Sequence, residues 1–248
     1  MHIREGIVTG CDNVFIIDER DVPKGEECLF IPFLPDKLML QYNTPNRTNK
    51  RVFYPFLTGK KITSSQLEEC FPKTYAYLYK NREVLENRGS VIRGNLIWWQ
   101  PESLRNPENL LSPKIIAPHL MLLPKFSIDE TGKYAISRSP FIYLKKESDE
   151  ELLYFFLAIL NSSICHWYIK THSHKYSHGY IMLEPKTLRT VPMPDLRTIP
   201  AGTLRELIIL MKQHLHQPSI INEKRIEEIV FEAYGISKQE RSFLNLDA

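Results

Sequence analysis

The stretch Lys170 to Tyr180, KTHSHKYSHGY, holds two lysines, three histidines, two tyrosines and one glycine, with no acid among them. Two chemistries fit that set. Cations interleaved with aromatic rings suit a polyanion, whose phosphates take the charge while its bases meet the rings. His172, His174 and His178, with Glu184 nearby, also offer ligands for zinc, and a zinc-bound water can hydrolyse a phosphodiester. The spacing HxHxxxH is loose, and histidines in a basic loop serve phosphate or water more often than metal. A second acid-free window runs from Gln41 to Lys61, with its charge concentrated on the tip Asn46, Arg47, Thr48, Asn49, Lys50, Arg51. Asn, Arg and Lys are the side chains that read adenine and guanine edges or grip phosphates, although the same composition describes an ordinary solvated loop. Near the N-terminus Gly6 and Gly10 bracket Ile7, Val8 and Thr9. Two glycines allow close approach to a phosphate, but they are not a GxGxxG fingerprint, and turn geometry is the simpler reading.

Other catalytic signatures are missing from the string. No GxSxG, HExxH or Walker sequence occurs, and Pro35-Asp36 and Pro194-Asp195 are not followed by the ExK of a PD-(D/E)xK nuclease.

The basic segment needs an anchor, and one directly precedes it. From Leu152 to Leu160 every residue is apolar or aromatic, which predicts a helix buried on all sides. Ser148 with Glu151 has capping-box spacing for its start. Asn161, Ser162 and Ser163 interrupt the run and are suited to cap a second helix carrying Ile164, Trp167 and Tyr168. The interruption argues against a membrane span, because neither half approaches about 20 residues.

Elsewhere the pattern is mixed. Val14–Ile17, Val52–Phe56, Leu96–Trp99, Lys114–Pro118, Leu120–Phe126, Tyr134–Ser137, Phe141–Leu144, Tyr180–Leu183 and Thr190–Met193 read as short strands separated by turn text. Adjacent Trp98 and Trp99 point to opposite faces of such a strand, one into the core. Ser65 with Glu68 reads as a capping box opening a helical stretch that continues through Lys73 to Asn87. Phe71, Tyr75, Leu78 and Leu85 share one face of it, and Gly89 is placed as the stop. Beyond Pro200 the text is helical. Thr203 with Glu206 and Ser237 with Glu240 read as capping boxes, Asn222 as a cap between them, and Gly235 as a stop. Leu204, Leu207, Ile208, Met211 and Leu215 form one stripe; Ile226, Ile229, Val230 and Ala233 form another.

At 248 residues the chain can bury a sizeable core, and its net charge of +3 is too small for binding a polyanion by bulk charge alone, so binding must rest on local patches. Cys11, Cys28, Cys70 and Cys165 are widely separated with no CxxC pair. They read as reduced thiols, which with the lack of a signal peptide before Arg4 makes the cytoplasm the expected location. Residues 222–248 carry four bases against six acids, favouring packing or a protein partner for the tail.

The run AILNSSICHWYIKT at Ala158–Thr171, followed by the basic segment, Gly179-Tyr180 and VPMP at Val191–Pro194, resembles the TaqI-like C-terminal specificity domain. That domain is the target-recognition module of adenine-N6 DNA methyltransferases and of fused type IIG restriction and modification enzymes. REGIVTGCDNVFIID at Arg4–Asp18, FPKTYAYLYKNREVLENR at Phe71–Arg88 and RIEEIVFEAYGISKQE at Arg225–Glu240 are similar to its opening, middle helix and closing helices, in the same order. The family normally carries residues before its RxGIxTG segment, so a cropped chain or a gene split from its catalytic half is expected.

The resemblance implies sequence-specific recognition of double-stranded DNA, delivered to a methyltransferase domain or subunit, with or without an endonuclease. The glycine motif for the cofactor and the Asn/Asp-Pro-Pro-Tyr/Phe loop of an adenine methyltransferase do not occur here; Asn43, Thr44, Pro45, Asn46 is the nearest approach. The chain alone is therefore expected to be no enzyme, to hold no metal, and to leave S-adenosylmethionine to its partner. The residues expected on DNA are Thr9, Arg47, Asn49, Lys50, Arg51, Lys170, His172, His174, Lys175, Tyr176 and His178. The alternatives are a protein-docking subunit and, more remotely, a His-ligated hydrolase. The expected fold is α/β (α+β): a mixed or antiparallel sheet around a buried helix over residues 1–200, with a C-terminal helical bundle over 201–248 packed on it.

Overall fold

Ile115 and Ile116 on one strand, and Phe141, Ile142 and Tyr143 on the next, are all buried, so this sheet needs cover on both faces. The computed structural model, which describes residues 1–145 and 148–244, provides it. In chain order the first strands are β1 (His2–Glu5), β2 (Ile16–Asp18), β3 (Phe30–Pro32), β4 (Tyr42–Asn43), β5 (Lys50–Phe53), β6 (Phe56–Leu57) and β7 (Lys60–Lys61). They are followed by β8 (Lys114–Ile116), β9 (Leu120–Met121), β10 (Ser127–Asp129), β11 (Pro140–Tyr143) and β12 (Ile181–Met182). The helices are α1 (Asp12–Phe15), α2 (Ser64–Cys70), α3 (Pro72–Lys80), α4 (Arg82–Glu86), α5 (Gly89–Ile92) and α6 (Pro107–Leu110). The second half adds α7 (Leu152–Asn161), α8 (Ser163–His172), α9 (Pro185–Thr190), α10 (Ala201–His216), α11 (Ile220–Tyr234) and α12 (Lys238–Phe243).

The main sheet has the order β1-β11-β8-β10-β4, antiparallel except for the β10–β4 pair. Alternation along its strands divides the side chains between two cores. Ile3, Ile115, Ile128 and Ile142 face a cluster built on α7, whereas Ile116, Phe141 and Tyr143 face a second cluster with Ile7, Leu34 and Tyr134. Strand β5, between β2 and β3 in a smaller sheet, repeats the device: Val52 joins the second cluster and Phe53 a third, formed with α2 to α4.

As its composition predicts, α7 is buried from Phe155 through Asn161. Helices α10 and α11 bring Leu207, Ile208, Met211, Ile226, Ile229 and Val230 into the same cluster, so apolar packing runs without interruption across residue 200. Residues 245–248 of the C-terminal segment lie outside the described residues. Lys114 and Asp129 form a buried ion pair at 2.8 Å across β8 and β10. The Asp129 carboxylate also accepts from the backbone N–H groups of Lys133 and Tyr134, which shapes the turn at Gly132. A Cβ on Gly132 would lie 2.5 Å from Leu111 O, and its φ is +66°.

Several sequence readings need correction. Ser148 and Glu151 form no capping box: Glu151 N–H donates to Asp149 Oδ1 and α7 starts at Leu152. Thr63 and Gln66, not Ser65 and Glu68, make the box that opens α2. Gly89 begins α5 and does not stop α4. Val14 and Phe15 lie in the short α1, and the strand starts at Ile16. Leu96–Trp99 is turn backbone, not strand. Buried Arg88 ties the C-terminal end of that turn to neighbouring segments, donating to Trp98 O, Gln100 O, Leu85 O and Thr9 O. The core position of Trp99 holds nonetheless, while Trp98 packs on Tyr75, Tyr79 and Arg82. Tyr134–Ser137 contributes isolated bridges only, and Ser127–Asp129, which the strand reading omits, is β10. Thr190–Met193 is no strand, because Thr190 ends α9, which Pro185 starts at its first position. Thr203 and Asn222 lie inside α10 and α11; the N-cap positions are Pro200 and Ser219. The box at Ser237–Glu240 and the left-handed stop at Gly235 are present as read.

Candidate nucleic-acid interface

The polar triplet after α7 explains how the basic segment is held. Asn161 Oδ1 accepts from Phe126 N–H at 3.0 Å, and its Nδ2 donates to Phe126 O at 2.9 Å and to Leu157 O. Ser162 is extended; its hydroxyl donates to Ile159 O and accepts from Cys165 N–H, so the chain turns by 64° between α7 and α8. Ser163 N–H and its hydroxyl both donate to Glu227 of α11. Asn161, Ser162 and Ser163 thus fasten one end of α8 to the sheet side and to the C-terminal helices.

The other end of α8 is free to carry charge. Lys170 is exposed in its last turn, where a cation also suits the helix dipole. The chain then forms a hairpin: Lys175 bridges Ile181, Tyr176 N–H donates to Tyr180 O, and a 3-10 turn at Ser177–Gly179 makes the tip. His178 and Gly179 both have positive φ, which forces the tight reversal. Through β12 the hairpin pairs with β9, whose continuation exposes Leu122 and Leu123. His174, Lys175, Tyr176, His178 and Tyr180 are all exposed, Tyr176 by 52%. The result is a basic, aromatic protrusion on a rigid base. Behind it, burial and the neighbouring Lys170 hold His166 below the usual imidazole range.

The expected residues differ in what they present. His172 is exposed but folds back, stacking on Tyr168 at 3.9 Å with Nδ1 against Tyr168 O. Thr9 is buried and hydrogen-bonds Asp12, so it presents nothing to a ligand. The window Asn46–Arg51 is acid-free in sequence but not in space. Arg47 pairs with Glu19 at 2.7 Å, Arg51 with the other oxygen of Glu19, and Lys50 with Asp18 at 3.3 Å. Lys50 and Arg51 belong to β5 and not to a loop, and Arg51 is largely covered. Arg47 and Asn49 remain exposed at the tip. The paired arginines hold the Glu19 carboxyl below its ordinary value. The two basic segments belong to different sheets.

The histidines do not converge on a metal. Among the described residues no group of three or more His, Cys, Asp or Glu side chains is placed to hold one. The four cysteines form no disulfide, and no single helix among the described residues is long and apolar enough to cross a membrane.

A surface invisible in the sequence is a cleft of about 640 Å³ lined by Arg4, Arg105, Arg138, Lys186 and Arg189, with Glu5 and Glu184 at its side. No local signal marks it, since its five cations come from four separated segments, Lys186 and Arg189 sharing α9.

Comparison with known proteins gives this arrangement a context. The sequence model of the TaqI-like C-terminal specificity domain matches residues 54–193, more than half of the chain. The type II methyltransferase M.BanIII of Aneurinibacillus aneurinilyticus is 26% identical over 198 residues, covering 77% of this chain and 33% of that protein. M.BstVI of Geobacillus stearothermophilus is 23% identical over 239 residues, covering 96% of this chain and 40% of the relative. The chain therefore spans about a third to two fifths of the length of these curated relatives. Among solved structures, the type IIG restriction endonuclease BpuSI superposes with a TM-score of 0.53 at 14% identity, covering 94% of this chain and 30% of that one. That likeness supports the fold, a mixed α/β domain ending in helices.

Proposed function

The chain belongs to the TaqI-like C-terminal specificity domain family, and from that premise we propose that it recognises a target sequence in double-stranded DNA for an adenine-N6 methyltransferase domain or subunit, with or without an associated endonuclease. The observation that carries the reading is the protrusion after α8, where Lys170, His174, Lys175, Tyr176 and His178 are exposed together on a base fixed by Asn161 and Ser162. A two-stranded ribbon fits the major groove, lysines take phosphates, and histidine and tyrosine edges are suited to base contacts. Arg47, Asn49 and Lys50 are assigned to phosphates beside the main contact; Arg51 supports them through Glu19.

Methyl transfer and S-adenosylmethionine binding are assigned to the partner, since the chain supplies neither catalytic string. The proposed setting is the cytoplasm. The histidines are assigned to DNA and not to a metal, because His172 is turned onto Tyr168.

The test joins the chain to an adenine methyltransferase domain and compares methylated sites for the parent and for a variant with His174, Lys175, Tyr176 and His178 changed to alanine. Loss or change of site preference with methyl transfer retained on some sequence is expected; an unchanged preference would contradict the assignment.

A further inference from the structure

The cleft beside β1 differs from the protrusion in kind: its charge is concentrated in a concavity. Arg4, Arg105, Arg138, Lys186 and Arg189 face two carboxylates, Glu5 and Glu184. Two of the arginines are built into the wall. Arg105 donates to Glu5 O and to Ser103 Oγ and pairs with the Glu5 carboxylate at 3.3 Å, and Arg189 donates to Ile3 O. The side chains of Arg4, Arg138 and Lys186 are exposed and make no hydrogen bond or ion pair among the described residues. His119 also lines the cleft, and its Nδ1 is shielded from solvent with no hydrogen-bond partner. The wall is rigid, because the Asp36 carboxylate accepts from both His119 N–H and Ser139 Oγ, joining two lining segments.

Three uncommitted cations on a concave surface, backed by two fixed guanidinium groups, focus a positive potential at one place. Planar guanidinium forks match the oxygens of a phosphodiester. We infer that this cleft is a phosphate clamp that holds the backbone of the bound DNA duplex, taking consecutive phosphates through Arg4, Arg138 and Lys186 while the hairpin addresses the bases. The inference rests on the recognition reading and extends it from one contact to two. Phosphate contacts fix register without carrying sequence, so the clamp would set how the duplex lies and not which sequence is chosen.

The experiment uses the full chain and Arg138→Ala/Lys186→Ala, both solvent-facing changes, with matched urea midpoints as the check on folding. Two probes are titrated: a labelled mixed-sequence duplex across a potassium chloride series, and inorganic tripolyphosphate by calorimetry. The clamp predicts that the double variant lowers the slope of log affinity against log salt by about 2, roughly 0.9 for each lost phosphate contact. The loss should be equal for unrelated duplexes, and tripolyphosphate binding should also be lost. An unchanged slope in the variant would overturn the clamp while leaving recognition by the hairpin intact. Tripolyphosphate binding that the substitutions abolish, with no duplex binding by the parent chain, would overturn both the clamp and the recognition reading, and would assign the cleft to a free phosphate anion.

Discussion

Asn161 holds Phe126 by both of that residue's backbone polar groups, accepting from its N–H at 3.0 Å and donating to its carbonyl at 2.9 Å. The pairing joins the end of the buried helix to the segment that runs from β9 to β10, at a site where neither group can turn to water. Asn161→Ala is expected to leave two buried backbone groups unsatisfied and to cost about 3 kcal/mol. Asn161→Asp should be comparably poor, since a carboxylate cannot donate to Phe126 O or Leu157 O. Urea denaturation of both variants measures this, and a loss under about 0.5 kcal/mol would show the contact to be dispensable.

Lys114 and Asp129 are a buried pair whose net worth is modest but whose disruption is severe. Lys114→Met removes the partner of a carboxylate that is 1% exposed. The expected loss is about 3–5 kcal/mol, read from the denaturation midpoint, because it strands a buried charge.

Glu227 gives the protein a pH dependence of definite sign. Burial raises its carboxyl above the ordinary 4.5, against the opposing hydrogen bonds from Ser163. A raised folded pKa means that the folded state holds its proton longer than the unfolded chain, so stability is lost as pH climbs from about 4.5 through the folded value. Glu227→Gln keeps an acceptor for Ser163 and removes the titration. The parent should lose stability relative to this variant across that window, and parallel stability curves would refute the linkage.

Cysteine reactivity should follow burial. Cys165 is buried and its thiol is pushed up to about 12, whereas Cys28 and Cys70 are exposed. Iodoacetamide at neutral pH is expected to label Cys28 and Cys70 in the native protein and Cys165 only after unfolding. Mass spectrometry of the peptides reads the outcome, and rapid native labelling of Cys165 would contradict the packing of α8.

What the sequence disclosed follows from the range of the forces involved. The all-apolar run at Leu152–Leu160 has only one stable environment, so the core helix was legible, as were the box at Ser237–Glu240 and the stop at Gly235. Strands were less so. Leu96–Trp99 reads as a strand by composition, but it is turn backbone whose Trp98 carbonyl, like that of the following Gln100, accepts from the side chain of Arg88, a partner that no local pattern announces. The missed α9 did carry a signal, Pro185 at its first position, which the prolines of VPMP obscured. The site divides in the same way. The segment Lys170–His178 lies within one stretch of chain and appeared as a basic patch. The segment Arg47–Arg51 appeared equally basic, because Asp18 and Glu19 neutralise it from about thirty residues away. The Arg138 cleft was invisible, because it exists only after five segments meet.

The central claim is that the exposed hairpin after α8 binds duplex DNA. The direct measurement is fluorescence anisotropy of a labelled mixed-sequence duplex titrated with the chain at several salt concentrations, in parallel with Lys170→Ala/Lys175→Ala. The account predicts binding that weakens steeply with salt and a slope that falls by about 2 in the variant, near 0.9 per phosphate contact. Absence of binding at low salt, or an identical slope in the two proteins, would contradict it.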